Sequence, residues 1–229
     1  MLYIVGTPIG NLDDLSIRQA KTLSSSDIIL AEDTRSAHIL LLRIPQLFPN
    51  IPNHPNPPKL ISYYKDVEFQ KLPVVIDLLK KGKTISLISE SGMPLISDPG
   101  YLLVKTCIKE QIPYTVIPGP SAVTTSLLCS GFNPKEFMFL GFFPKKKSEL
   151  YQLINRLKEI KKVFPEMVFI FYESPNRIHS TLQCIVTLEW DVEIVICREL
   201  TKKFEEIIRG KPADLLDRHY KGELTVVIR

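Results

Sequence analysis

The sequence predicts an α/β protein in two domains, and three observations lead there. Short apolar, β-rich runs alternate with helical patterns along the whole chain. A stiff Pro/Gly turn, Pro118-Gly119-Pro120, divides two sets of such runs, so the expected domains are residues 1–117 and 118–229. The chain is also long enough, at 229 residues with 45% hydrophobic and 24% charged side chains, to bury its core without covalent staples. No internal repeat is visible.

In order, Leu2-Tyr3-Ile4-Val5 reads as a strand at the very start. Asp27 to Ala31 is a second, ending in the polar cluster Glu32-Asp33-Thr34-Arg35. Thr84 to Ser89 and Tyr114 to Ile117 follow as the third and fourth. Between them Pro73 is expected to open a helix carrying Leu72, Val75, Ile76 and Leu79 on one face, with Gly82 as its stop. In the second half, Phe137–Phe143, Met167–Tyr172, Glu193–Cys197 and Leu224–Ile228 read as strands. Ser148 is expected to cap a helix with Leu150, Leu153, Ile154 and Leu157 inward. Another helix follows Pro175. Ile44 to Lys59 holds prolines 45, 49, 52, 55, 57 and 58, which favours an extended loop. It reads as a surface insertion, with a lid or partner-docking loop as the alternative.

Composition then narrows the function. Gln111 to Asn133 lacks Asp, Glu, Lys and Arg, but Pro113, Pro118, Pro120, Gly119 and Gly131 break it, so no membrane span is expected. The N-terminus has no basic segment ahead of its apolar run, so no signal peptide is expected and the location is read as cytoplasmic. Cys107, Cys129, Cys184 and Cys197 show no metal spacing and read as reduced thiols, most of them buried. Net charge is +4, from 29 basic and 25 acidic residues. That permits nucleic-acid binding without announcing it. The clusters at Lys145–Lys147 and Lys202–Lys203 are read first as solvated faces.

Three turns each lie just beyond the carboxyl end of an expected strand, the edge where open α/β sheets bind ligands. They are Gly6 to Asn11, Glu90 to Gly100, and Pro118 to Ala122. Glycine lets backbone approach a ligand closely, proline stiffens the turn, and Ser and Asp add polar contacts. Gly6 to Asn11 has neither the Gly-Lys-Ser/Thr ending of a P-loop nor a three-glycine dinucleotide fingerprint. The histidines at 38, 54, 179 and 219 show no metal pairing or hydrolase triad order. No metal is expected.

Six blocks then occur in order: Leu2 to Leu12, Ala31-Glu32-Asp33-Thr34-Arg35, Ser89 to Gly100, Pro118-Gly119-Pro120-Ser121, Tyr172-Glu173-Ser174-Pro175-x-Arg177, and Arg198-Glu199-Leu200-Thr201-Lys202. Together they resemble the ribosomal RNA small subunit methyltransferase I family of the tetrapyrrole methylase superfamily. The resemblance implies a two-domain tetrapyrrole-methylase-like fold with the cofactor, S-adenosylmethionine, in a cleft between domains. It further implies a homodimer that methylates the ribose 2′-hydroxyl of a cytidine in small-subunit ribosomal RNA. By position, the cofactor-binding residues would be Pro8, Ser89, Glu90, Ser91, Gly92, Met93, Pro94, Ser97, Asp98, Ser121, Ala122 and Tyr172.

The transfer requires a nucleophile aligned with the methyl group and one proton managed. Glu32, Glu68, Tyr172 and Lys202 are candidates for the base or its support. Arg35 and Arg177 would hold a phosphate or fix carboxylates. Ser89-Glu90-Ser91-Gly92-Met93-Pro94 departs from the family's usual Ser-Asp-Ala-Gly-Thr-Pro. Ser62 to Glu68 lacks the usual His-x-His-Asn-Glu run, and the family's common helical C-terminal extension is missing. Two alternatives stay open: the same fold methylating a small molecule or protein, and a non-catalytic cofactor-binding protein associated with the ribosome.

Overall fold

A computed structural model describes residues 1–51 and 56–229. The chain divides into two compact units, Met1–Ser121 and Ala122–Arg229. The Pro118–Ser121 turn is tied to the first unit by the Gly119 amide, which donates to the Met93 sulfur at 3.3 Å.

The first unit is built from β1 (Leu2–Val5), α1 (Ile17–Ser25), β2 (Ile28–Ala31), α2 (Thr34–Leu47), β3 (Lys59–Ser62), α3 (Lys65–Lys80), β4 (Ile85–Ile88), α4 (Tyr101–Lys109) and β5 (Tyr114–Ile117). The strands form one parallel sheet in the order β3-β2-β4-β1-β5. The apolar run of β2, and that of β4 interrupted only by the buried Ser86 whose hydroxyl meets that of Ser26 at 2.7 Å, suit strands covered on both faces. Leu2, Ile28, Leu30, Ile85 and Leu87 pack against Val75, Ile76 and Leu79 of α3 and Leu103 and Cys107 of α4. The alternate positions Val5, Ile29, Ala31 and Ile88 pack against Ala20 and Leu23 of α1 and Ala37, Leu40 and Ile44 of α2. β4 therefore lies between β2 and β1, whose following helices cover the opposite face from its own. Its carboxyl end is flanked by two topological switch points, where such sheets bind ligands.

Several expectations are corrected. Pro73 lies inside α3 rather than at its start. Its missing amide removes the i+4 donor to the carbonyl of Phe69, which is itself an exposed residue. The first turns of α3 are polar, which hid them from a periodicity reading. Ile44 and Pro45 belong to α2 and Lys59 to β3, so the proline-rich loop is shorter than expected. Pro52 and Pro55 lie outside the described residues. β3 is an edge strand with an exposed lysine and a weak apolar pattern, which is how edges are protected.

The second unit contains α5 (Ala122–Ser130), β6 (Phe137–Phe142), α6 (Lys147–Val163), β7 (Val168–Glu173), α7 (Ile178–Thr187), β8 (Ile194–Arg198), β9 (Glu206–Gly210) and β10 (Leu224–Ile228). The sheet order is β6-β7-β10-β8-β9, with β6 and β7 parallel and the other pairs antiparallel. Its core centres on Phe143 stacked on Phe171 at 3.6 Å between ring centroids, with Ile154 and Leu157 of α6 and Leu182 and Ile185 of α7. Lys146, not Ser148, precedes α6 and makes no side-chain cap bond. The unpredicted β9 is another edge strand, with Glu206 and Arg209 interrupting its apolar residues.

No helix among the described residues is long and apolar enough to cross a membrane. None of the four cysteines is in a disulfide. Burial pushes Cys184 up to about 11 and Cys197 up to about 12, so these thiols stay protonated and inert.

Candidate active site

The three turns singled out in the sequence meet at the carboxyl edge of the first sheet and are joined by hydrogen bonds. The Thr7 amide donates to Gly92 O at 2.8 Å. The Thr7 hydroxyl stands 3.3 Å and the Ser89 hydroxyl 3.2 Å from the same oxygen. The Gly92 carbonyl thus fixes the β4 loop to the β1 loop. Gly6 and Gly119 approach so closely that a Cβ on Gly6 would lie 2.6 Å from the Met93 sulfur and 2.8 Å from Gly119 Cα. Only glycine permits that contact.

A residue that the sequence reading passed over holds this seam from below. Gln19 is completely buried, and its side-chain amide donates to Gly6 O at 2.8 Å while its Oε1 accepts from the Ser16 amide at 2.5 Å. Ser16 accepts in turn from the Gln19 amide, completing a capping box for α1. The signal was readable as Ser16-x-x-Gln19 before an amphipathic run. Its use in supporting the β1 turn was not.

The β4 loop is strained as well as tied. Leu95 and Ser97 adopt φ of 71° and 70°, the left-handed region that costs a residue with a side chain about 1–2 kcal/mol. Gly100, at φ 119°, ends the loop and starts α4; a Cβ there would sit 2.5 Å from Leu87 Cδ2. Such a conformation persists only where its surroundings over-determine it.

Three carboxylates gather at this edge. Asp98 is pushed up to about 6, first by burial and then by the negative charges of Glu32 and Glu90, against a hydrogen bond from Ser89 that holds it down. Glu32, just beyond β2, is raised by burial and by Glu90. Crowded, partly desolvated carboxylates of this kind are a recognised property of functional sites.

The expected cofactor-binding residues sort by position. Pro8, Ser89, Gly92 and Pro94 are buried in the seam, whereas Glu90, Ser91 and Ser97 are exposed and Met93 and Asp98 half-buried. Ser121 is half-buried at the end of the first unit. Ala122 opens α5, and Tyr172 lies on β7 with Phe139 and Phe142 against its ring.

The four residues expected to be catalytic have different surroundings. Glu32 belongs to the acidic cluster. Arg35 is exposed and forks onto Asp33, with Nε at 3.2 Å and Nη2 at 2.9 Å from its oxygens. Glu68 is instead buried, with Oε1 accepting the Gly100 amide at 3.0 Å, so its carboxylate is occupied with backbone. Lys202 lies in the second unit and is neutralised by Glu199 at 3.2 Å and Glu223 at 2.9 Å. Of the two readings of Arg177, the structural one describes its contacts. It reaches Glu173 Oε1 at 3.2 Å and Phe143 O at 2.6 Å, and Thr181 donates to the same buried carboxylate at 2.7 Å.

The second unit also holds a cavity of about 390 Å³ lined by Phe132, Glu193, Arg209, Lys211 and Asp214, among others. Its charges are mixed. No group of three or more His, Cys, Asp or Glu among the described residues is arranged to hold a metal ion.

Comparison with known proteins places this geometry. Residues 1–216 match the family of Tetrapyrrole (Corrin/Porphyrin) Methylases. A ribosomal RNA small subunit methyltransferase I from Thermotoga maritima is 41% identical over 231 residues, covering 99% of this chain and 97% of that protein. The chain belongs to the ribosomal RNA small subunit methyltransferase I family. The family member from Halalkalibacterium halodurans is 40% identical over 98% of this chain but only 72% of its own length. Family members therefore differ in length, and the Thermotoga protein is nearly the span of this one. Among solved structures, diphthine synthase superposes with a TM-score of 0.72 at 11% identity, covering 99% of this chain and 88% of that one. A uroporphyrin-III C-methyltransferase from Thermus thermophilus, complexed with S-adenosylhomocysteine, gives 0.62 at 13%, covering 99% and 96%. These show the fold. As a member of this family, the chain is an S-adenosylmethionine-dependent methyltransferase.

Proposed function

We propose that this enzyme methylates the ribose 2′-hydroxyl of a cytidine in small-subunit ribosomal RNA, working in the cytoplasm as a homodimer. The family relationship supports the substrate, and one structural observation supports the site: three turns joined through Gly92 O and the Met93 sulfur beside the Glu32, Glu90 and Asp98 carboxylates.

S-adenosylmethionine fits this edge by charge. It carries a sulfonium and an ammonium, and a cationic ligand relieves the repulsion that raises Asp98 and Glu32. When bound, the cofactor supplies an electrophilic methyl group with a neutral thioether as leaving group. Asp98 and Ser97 hold its polar groups, and Met93 and the backbone from Ser89 to Pro94 line its place. Glu32, raised by burial, is the proton acceptor for the ribose hydroxyl, since a base whose affinity for protons is increased takes that proton more readily. Arg35 is exposed and lies one turn away along the chain, where its guanidinium meets a phosphate of the substrate.

The second unit offers basic and aromatic groups to RNA. Phe204 is 63% exposed, with the Lys203 ammonium 5.7 Å from its ring centroid. Exposed rings beside lysines are the usual platform for unpaired bases.

The test is methyl transfer from labelled S-adenosylmethionine to undermethylated small ribosomal subunits, followed by nucleoside analysis. Label in 2′-O-methylcytidine is the expected result. Label in a base, or in protein alone, overturns the substrate assignment.

A further inference from the structure

We propose that Glu68 is a positioning residue: its buried carboxylate clamps the carboxyl-terminal end of the Ser89–Gly100 loop and so sets the shape of the surface that holds the cofactor. This rests on the reading of that loop as cofactor-binding.

The loop is fastened at two points. At its start, Gly92 O accepts from the Thr7 amide, with the Thr7 and Ser89 hydroxyls also within reach. At its end, Glu68 Oε1 accepts the Gly100 amide at 3.0 Å, joining residues 32 positions apart. Between these points lie Met93, Ser97 and Asp98, together with Leu95 and Ser97 in the left-handed conformation. Released at either end, this stretch relaxes toward ordinary backbone angles and carries Ser97 and Asp98 with it.

The surroundings of Glu68 suit an anchor and not a base. Its residue is 7% exposed, and among the described residues it has no cationic partner. It lies in the first turn of α3, where the helix dipole favours negative charge. The neighbouring Tyr63 hydroxyl is buried beside the Glu68 carboxylate. Burial and the Glu68 charge both push that phenol up, so it stays protonated. A carboxylate enclosed in this way has no path to a ribose hydroxyl, but it accepts one fixed amide well. The anchoring oxygen survives in Gln, is missing in Ala, and falls one methylene short in Asp.

The test compares Glu68→Gln, Glu68→Asp and Glu68→Ala by three readouts: hydrogen exchange of the Gly100 amide in the cofactor-free protein, calorimetric affinity for S-adenosylhomocysteine, and the split between kcat and KM for cofactor. Glu68→Gln should stay within threefold of the original protein in all three, with an unchanged pH profile. Glu68→Ala and Glu68→Asp should speed Gly100 exchange more than tenfold and weaken cofactor binding at least tenfold, while kcat at saturating cofactor stays within threefold. Loss of turnover in Glu68→Gln with affinity intact would make Glu68 a proton-handling group and overturn the proposal. Unchanged Gly100 exchange in both shortened variants would do so as well. If the original protein binds no cofactor analogue, the cofactor reading of the loop fails, and Gly100 exchange alone still decides whether Glu68 is the anchor.

Discussion

The Met93 sulfur accepts the Gly119 amide hydrogen at 3.3 Å, joining the turn after β4 to the turn after β5. The resemblance carried by the Ser89–Pro94 block implies a threonine at this position. Here a longer, softer side chain reaches the neighbouring turn and fills the space over Gly6, so the departure is accommodated by packing.

The closeness of these turns makes Gly6 the least replaceable residue of the seam. Gly6→Ala places a Cβ 2.6 Å from the Met93 sulfur and 2.8 Å from Gly119 Cα, and the latter is backbone. The turns must part, at a cost of about 1–3 kcal/mol in stability. Urea denaturation should show that loss, and calorimetry should show cofactor affinity reduced at least tenfold. Gly92→Val should act similarly for another reason: φ of 82° disfavours a branched residue, and its Cβ would press on Ile9 Cγ2 at 3.2 Å.

Asp98 links stability to pH with a defined sign. Its carboxyl titrates near 6 in the folded protein and near 4 in an unfolded chain. Its contribution is therefore fully present below about pH 4 and is lost as the pH rises through about 6. Asp98→Asn stays neutral, so at pH 8 it should be more stable than the original protein by about 1 kcal/mol after allowance for solvent screening. The two should coincide at pH 4. Cofactor affinity should move the opposite way, falling about tenfold at pH 8. A variant less stable at pH 8 would remove Asp98 from the crowded cluster.

Lys202 is a tie within the second unit. Lys202→Met leaves Glu199 and Glu223 facing each other without their cation. The expected effect is a loss of about 1 kcal/mol in stability, with cofactor affinity unchanged. A double-mutant cycle with Glu223→Gln checks it, since a coupling near zero would show that the pair contributes nothing.

Phe204→Ala and Lys203→Glu should each raise KM for ribosomal subunits at least threefold without changing affinity for the cofactor. Steady-state kinetics with both substrates varied reads this directly. An unchanged KM in both would exclude the β8–β9 turn from RNA contact.

Much of this site was legible in the residues because its determinants are local. Glycine and proline just beyond apolar runs marked the three turns, and their blocks carried the family resemblance. What escaped depended on distance along the chain. Gln19 acts on Gly6 and Glu68 acts on Gly100, and nothing in either local sequence states which backbone group it meets. The fold shows the same division. Central strands such as β2 and β4 announce themselves as predominantly apolar runs. The edge strands β3 and β9 carry the charges that protect an edge and so resemble loops. Pro73 marked a boundary that tertiary packing overrode, since α3 runs through it with Val75, Ile76 and Leu79 in the core.

The central claim is that the turns after β1, β4 and β5 hold the cofactor. Hydrogen–deuterium exchange with and without saturating S-adenosylhomocysteine tests it most directly. Protection should appear in peptides spanning Gly6–Leu12, Ser89–Gly100 and Gly119–Ser121. If these segments exchange unchanged while protection gathers around Glu193 and Arg209–Asp214 at the second unit's cavity, the cofactor binds elsewhere and the account is wrong.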